Sequence, residues 1–187
     1  MKQFETFGEK IFLRDFHFED ATSIFNIMQD FEVVKYLAEI PYPYLMEHAK
    51  SFIEFSINER EKLSSLHFAI AKKVSNKLVG AIGIKDVSVE YKSAEIGYWV
   101  GAEFWGNGYA SEAILLMKDI CFSQLGIRNL KAVVFESNIS SIKVLEKNGF
   151  IYRGISDKKY CNSFLKENML DYSIEIVPRE KEVYERI

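Results

Sequence analysis

The sequence predicts an α+β fold in which about four helices flank a mixed, mostly antiparallel sheet of about seven strands. Three observations predict it. First, "LHFAIAKK", "KLVGAIGIKDV" and "SAEIGYWVGA" are apolar strand candidates joined only by "VSNK" and "SVEYK", connections short enough for an antiparallel meander. Second, the helix candidate "GYASEAILLMKDICFSQLG" runs from the last of these to a further strand, "NLKAVVFESN". That crossover favours parallel pairing. Third, no repeat, low-complexity tract or Pro/Gly/Ser-rich linker divides the 187 residues, so one domain is expected.

The chain opens with "KIFLRDF", a short apolar strand candidate, after which Asp20 is placed to cap a helix over "ATSIFNIMQD". "FEVVKYLAEIPYPY" is interrupted by Pro41 and Pro43 and reads as a helical turn and a loop. The next helix, "LMEHAKSFIEFSINER", puts Met46, Phe52 and Phe55 on one side. After the meander, Ala110, Ala113, Ile114, Met117 and Cys121 repeat at helical spacing, and Gly126 suits the position just past the helix end. "ISSIKVLEKNG" is a short helix closed by Asn148-Gly149. "FIYRGI" and "KENMLDYSIEI" read as strands, forming a hairpin around "SDKKYCN". Residues 176–187 are a charged tail or a last helix.

The composition sets the class. At 48% hydrophobic and 27% charged residues, the chain can bury a core without staples. A net charge of −3 and no basic-aromatic stripe argue against a nucleic-acid partner. No run of some 18 apolar residues predicts a membrane span, and no secretory leader follows Lys2. Cys121 and Cys161 fit reduced thiols better than a disulfide framework, so a cytoplasmic protein is expected. His17, His48 and His67 have no metal-ligand spacing with each other or with the cysteines, and no metal is expected.

Two stretches carry chemistry. In "EFWGNGYASEAI", Gly106 and Gly108 follow a strand and open a helix. Glycines there let a ligand approach the backbone, and the first amides of a helix have no internal partner, which suits a phosphate. The same pair also suits a plain strand-to-helix turn. "GNGYAS" lacks the lysine of a P-loop, and it has serine where a dinucleotide fingerprint has Gly or Ala, after a meander that does not suit that fold. In "VVFESNISSIKVLEKNGF", Asn138 ends a strand and Ser141 falls in the first turn of the next helix. An asparagine amide both donates and accepts, as an amide-containing ligand needs; equally, Asn and Ser are favoured helix caps.

"AEIGYWV...FWGNGYASEA" followed by "FESNISSIKVLEKNGF" resembles the GNAT superfamily of acetyl-CoA-dependent N-acetyltransferases, and within it the RimJ/RimL-type ribosomal-protein N-terminal acetyltransferases. The likeness is strongest from Ala94 to Gly154. It implies the GNAT fold, in which the fourth and fifth strands splay apart and acetyl-CoA lies between them. Main-chain groups around Trp99 and Val100 would pair with the pantetheine arm and polarise the thioester carbonyl. Trp105, Gly106, Asn107, Gly108, Tyr109 and Ala110 would form the pyrophosphate loop. Asn138 would hold the pantetheine chain and Ser141 would sit near the sulfur.

The implied reaction is direct acetyl transfer to a primary amine, most simply a protein or peptide N-terminal α-amine. A polyamine or aminoglycoside acceptor and a non-catalytic acyl-CoA-binding module are the alternatives. Transfer needs a free amine, stabilisation of a developing oxyanion and a proton for the thiolate. Glu95 is the candidate base, acting through water, and is equally readable as a structural acid in a cross-strand pair; Ser141 or water is the proton donor. Two positions depart from the family pattern. Glu103 stands where many members have Arg or Gln, and is expected to face solvent. Leu145 stands where many have an acidic tyrosine. Tyr36, Tyr42, Tyr44 and Trp105 read either as core or, through "KYLAEIPYPY", as an acceptor pocket. Homodimers are common among similar proteins, so the resemblance admits one here.

Overall fold

The computed structural model describes residues 5–38, 40–62, 65–158 and 164–177. The expected strands are β2 (Ile11–Arg14), β3 (Leu66–Lys72), β4 (Leu78–Ser88), β5 (Ser93–Val100), β6 (Asn129–Phe135), β7 (Ile151–Ile155) and β8 (Met169–Glu175), preceded by a two-residue strand β1 (Thr6–Phe7). The expected helices are α1 (Asp20–Ile27), α3 (Met46–Lys62), α4 (Tyr109–Gln124) and α5 (Ile139–Lys147), with a single turn, α2 (Phe31–Val34), between the first two. The tail beyond Val177 and residues 159–163 of the turn between β7 and β8, Cys161 among them, lie outside the described residues.

All eight strands form one sheet in the order β1-β2-β3-β4-β5-β6-β8-β7. The meander is antiparallel throughout, and the crossover through α4 makes β5 and β6 parallel. The two last strands pair as a hairpin, but β8 rather than β7 lies beside β6.

The decisive feature is how short the parallel pairing is. Only Ser93, Ala94 and Glu95 pair with Asn129, Leu130 and Lys131; beyond them β5 stays with β4 while β6 follows β8. The fourth and fifth strands of the expected order therefore diverge. Beneath the sheet lies the core, where Phe68, Ile70, Ile82 and Ile84 of β3 and β4 are buried with Ile114 and Met117 of α4. Each such side chain contributes roughly 1.5–3 kcal/mol by leaving water.

One local expectation gives way to tertiary context. Asp20 is the first residue of α1, whose N-cap is Glu19, with no side-chain cap. Its carboxylate instead takes both guanidinium nitrogens of the buried Arg14, at 2.7 and 2.9 Å, and the His17 N–H. A buried charge must be paired, and that requirement outweighs a cap.

Candidate active site

Between the diverging strands lies a cleft of about 1110 Å³. Its walls carry Glu95, Trp99, Val100, Trp105, Gly106, Gly108, Tyr109, Ala110, Asn138 and Ser141. Of the expected site residues only Asn107 stays off the wall: its side-chain amide donates to the carbonyls of Phe104 and Trp105, tying the loop together.

Strand alternation sorts β5 into two faces: Glu95, Gly97 and Trp99 on one, Ile96, Tyr98 and Val100 on the other. The main chain is sorted too. Gly101 N–H donates to Val79 O at 3.0 Å. The alternation of an antiparallel ladder then gives Trp99 and Gly97 to β4, and turns the main-chain groups of Tyr98 and Val100 toward the splay. The indole of Trp105 takes the Val100 carbonyl at 2.7 Å and so fastens the glycine loop to the strand end. Trp99 contributes its half-buried side chain to the wall.

Gly106 and Gly108 have φ of 76° and 81°, and nothing lies within 4 Å of where a Cβ would stand at either. Gly108 is the N-cap of α4, with no side-chain cap. The helix thus starts at a glycine with open space beside it, with the positive end of its dipole there. Glu103 is exposed and pairs with Lys77 at 3.5 Å, outside the cleft, as expected of a carboxylate beside an anion site.

Across the splay, Asn138 caps α5, its Oδ1 accepting the Ser141 N–H at 3.1 Å. Its Nδ2 has no partner among the described residues and remains a donor on the cleft wall. Ser141 Oγ lies 2.9 Å from the hydroxyl of Tyr98. Burial pushes that phenol up to about 12, so it stays protonated at neutral pH. Sequence reasoning missed Tyr98, whose partner lies 43 residues away. The only local signal was its place beside Trp99 on the strand before the loop. Leu145 is buried in the core and lines the same wall.

The opposite wall comes from α2, the segment after it and α3. Tyr36 reaches over the cleft to donate to Ser137 O at 3.3 Å. Tyr44 is buried on the wall, its phenol pushed up to about 12 by burial. Tyr42 is exposed and packs edge-on against Phe164, as does Phe31. Trp105 is half exposed at the loop. Glu95 is buried among cations. Its Oε1 lies 3.4 Å from Lys85 Nζ, and its Oε2 is taken by Lys158, which also contacts Asp86. Both readings of Glu95 are thus present in one place: a cleft residue, and a cross-strand ion pair. Among the described residues no group of three or more His, Cys, Asp or Glu side chains could hold a metal ion, and no helix is long and apolar enough to cross a membrane.

Residues 10–151 match the family model described as acetyltransferase (GNAT) domain. The chain belongs to the GNAT acetyltransferase family. Acetyltransferases of this family use acetyl-CoA. Among its relatives, the uncharacterized N-acetyltransferase YoaA of Bacillus subtilis is 30% identical over 172 residues, covering 92% of this chain and 96% of YoaA. The GNAT fold is also that of Mycobacterium smegmatis RimJ, solved with CoA-disulfide (TM-score 0.80, 23% identity, 88% of this chain and 81% of that one). It is shared by the microcin C7 self-immunity acetyltransferase MccE, solved with acetyl-CoA and AMP (TM-score 0.80, 23% identity, 90% and 94%).

Proposed function

We propose that this chain is a single acetyltransferase domain that moves the acetyl group of acetyl-CoA directly to a protein or peptide N-terminal α-amine. The observation that carries the reading is the divergence of β5 and β6. It leaves the main-chain groups of Tyr98 and the Val100 N–H unpaired by a strand, beside an uncapped glycine-led helix start. An extended amide-rich arm ending in a pyrophosphate fits that arrangement: donors and acceptors along a strand edge, then amides and a dipole at α4.

In this reading the amides from Gly106 to Ala110 bind the pyrophosphate, with Trp105 and Asn107 holding the loop. The Asn138 amide donates to the pantetheine chain. The N–H groups of Tyr98 and Val100 face the strand gap, where they would stabilise charge developing on the thioester oxygen. Acetyl-CoA supplies the activated acyl carbon; the acceptor's nitrogen forms the new bond as the carbon–sulfur bond breaks. Ser141 stands to give the departing sulfur a proton, drawing in turn on the Tyr98 hydroxyl. Glu95 lies on the acceptor side of β5, with each oxygen held by a lysine, and shapes that wall.

The acceptor wall supports a peptide amine over a polyamine. Tyr36, Leu37, Ile40, Pro41, Tyr44 and Phe52 make it largely apolar, whereas a polyamine calls for several open carboxylates. The test mixes protein, acetyl-CoA and separate pools of N-terminally free peptides, polyamines and aminoglycosides. Free CoA is followed and the products are weighed by mass spectrometry. Acetylated peptides are expected. Acetylated polyamine or aminoglycoside alone moves the acceptor to the small-amine class. Acetyl-CoA binding without any acetylated product leaves a non-catalytic binding module.

A further inference from the structure

We propose that His67, on β3, is the base that takes the acceptor amine's proton, relayed by one or more waters across a glycine floor. This rests on the acetyltransferase reading above. His67, Gly83 and Gly97 stand in register across three adjacent strands, His67 opposite Gly83 and Gly83 opposite Gly97. All three line the cleft. The imidazole leans over Gly83, where an added Cβ would come within 2.5 Å of Nδ1. Over Gly97 nothing lies within 4 Å of where a Cβ would be. Any larger residue at either position would fill this row. Two interstrand spacings, roughly 10 Å, separate the His67 backbone from the β5 edge of the splay.

Of the two ring nitrogens, Nδ1 is the one over the glycines. Nε2 is buried without a hydrogen-bond partner, and the ring packs against Phe52 and Phe55 at centroid distances of 5.9 and 5.6 Å. A base at Nδ1 requires the tautomer with its hydrogen on Nε2. With the hydrogen on Nε2, the lone pair sits on Nδ1, over the glycines. Burial lowers the pKa of His67 below its usual 6.5, so the ring is neutral and able to accept at neutral pH. The charged groups acting on it are Glu59 of α3, which favours protonation, and Lys85 of β4, which opposes it. Further along the same wall stand Glu95 with Lys158, and His48, whose Nδ1 is occupied by the Leu45 N–H. Glu95, the other base on this wall, has both oxygens held by ammonium groups.

The proton balance is simple. The amine lone pair forms the nitrogen–carbon bond, and the carbon–sulfur bond breaks with its electrons on sulfur. The amine proton passes through water to Nδ1, which releases it to solvent; the thiolate takes a proton from Ser141, which is reprotonated by the Tyr98 hydroxyl, and that in turn from solvent.

The test measures kcat against pH for wild type, H67Q and E95Q with acetyl-CoA and an acetylated-product assay on an acceptor peptide. A thermal midpoint on each variant checks folding. Wild type is expected to lose kcat as pH falls below 6.5, because protonation removes the base. H67Q is expected to lose about 100-fold in kcat, the scale of general base catalysis, together with that acid limb, while its KM for acetyl-CoA is unchanged. Should H67Q fail to fold, G97V serves instead, since bulk over the floor blocks the relay without touching the ring, and it too should lower kcat. NMR titration of wild-type His67 should give a pKa below 6.5. An H67Q enzyme within twofold of wild type with its acid limb intact, a fully active G97V, or a His67 pKa above 7 overturns the inference alone. Wild type that binds acetyl-CoA and acetylates nothing overturns the acetyltransferase reading and this one with it.

Discussion

Where α4 and α5 meet the cleft, the groups offered to a ligand are main-chain amides, an asparagine cap and a serine–tyrosine pair. Where α2, α3 and the central strands meet it, they are aromatic rings, an imidazole and a carboxylate between two lysines, brought together from β3, β4, β5 and the segment after β7. The first wall is built mostly by local rules: a left-handed glycine, a helix start, an N-cap. The second depends on register and on long-range contacts. A cleft built this way holds one invariant partner by its backbone and leaves acceptor choice to side chains. Variants on the first wall should therefore move acetyl-CoA binding or thiolate release, and variants on the second should move acceptor handling and pH dependence.

The largest effect on the first wall is expected from Ser141→Ala. Loss of a proton donor in such reactions costs about 100-fold in kcat or more, with little change in acetyl-CoA affinity. Steady-state kinetics with the peptide acceptor measure it. Turnover within twofold of wild type would remove Ser141 from the proton path and pass that role to water. Tyr98→Phe should reproduce part of the loss, because it leaves the Ser141 hydroxyl without its partner 2.9 Å away.

Gly108→Val comes next. A β-branched residue at φ 81° costs roughly 1–2 kcal/mol in the backbone, and its side chain enters the space at the helix start. Acetyl-CoA affinity by calorimetry should fall at least tenfold, about 1.4 kcal/mol. Unchanged affinity would show that the pyrophosphate does not sit at α4, and the contrast between the walls would collapse.

These two walls also explain what could be read ahead of the structure. Gly106, Gly108, Asn138 and Ser141 were legible because the features that matter act over a few residues: a positive φ before a helix, a cap three residues from its recipient. The antiparallel meander and the parallel crossover were legible for the same reason, through connection lengths; that β8 rather than β7 lies beside β6 was not. Tyr98 was not, because its meaning comes from Ser141 on another element. His67 was not, because only the register of β3, β4 and β5 lines it up with Gly83 and Gly97. Asp20 was misread as a cap because nothing near it in sequence shows that Arg14 would be buried against it. Glu95 lines the cleft, but its lysines, Lys85 and Lys158, are set by strand pairing and by a distant loop, which the sequence near it does not show.

Asn138 sharpens the comparison, since it serves fold and ligand at once. Asn138→Ala removes the cap and should destabilise the protein by about 1 kcal/mol. Asn138→Ser keeps a capping oxygen but loses the Nδ2 donor. If the amide holds the pantetheine arm, both variants should weaken acetyl-CoA binding several-fold while only alanine lowers the thermal midpoint. Normal binding by the serine variant would reduce Asn138 to a cap.

The smallest effect is expected at Glu103, and its smallness is the point. A carboxylate three residues before the first loop glycine would repel a pyrophosphate if it turned inward, and replacing it would then tighten acetyl-CoA binding. Instead Glu103 is exposed and its partner is Lys77, itself about half exposed, at 3.5 Å. Such a surface pair contributes about 0–1 kcal/mol and is screened by salt. Glu103→Gln should therefore leave acetyl-CoA affinity within about twofold at moderate ionic strength, and stability nearly unchanged. An affinity gain of tenfold on the same substitution would mean that the side chain swings toward the ligand on binding. The glycine loop would then be a site working against its own charge, and the first wall would no longer be one that backbone geometry alone explains.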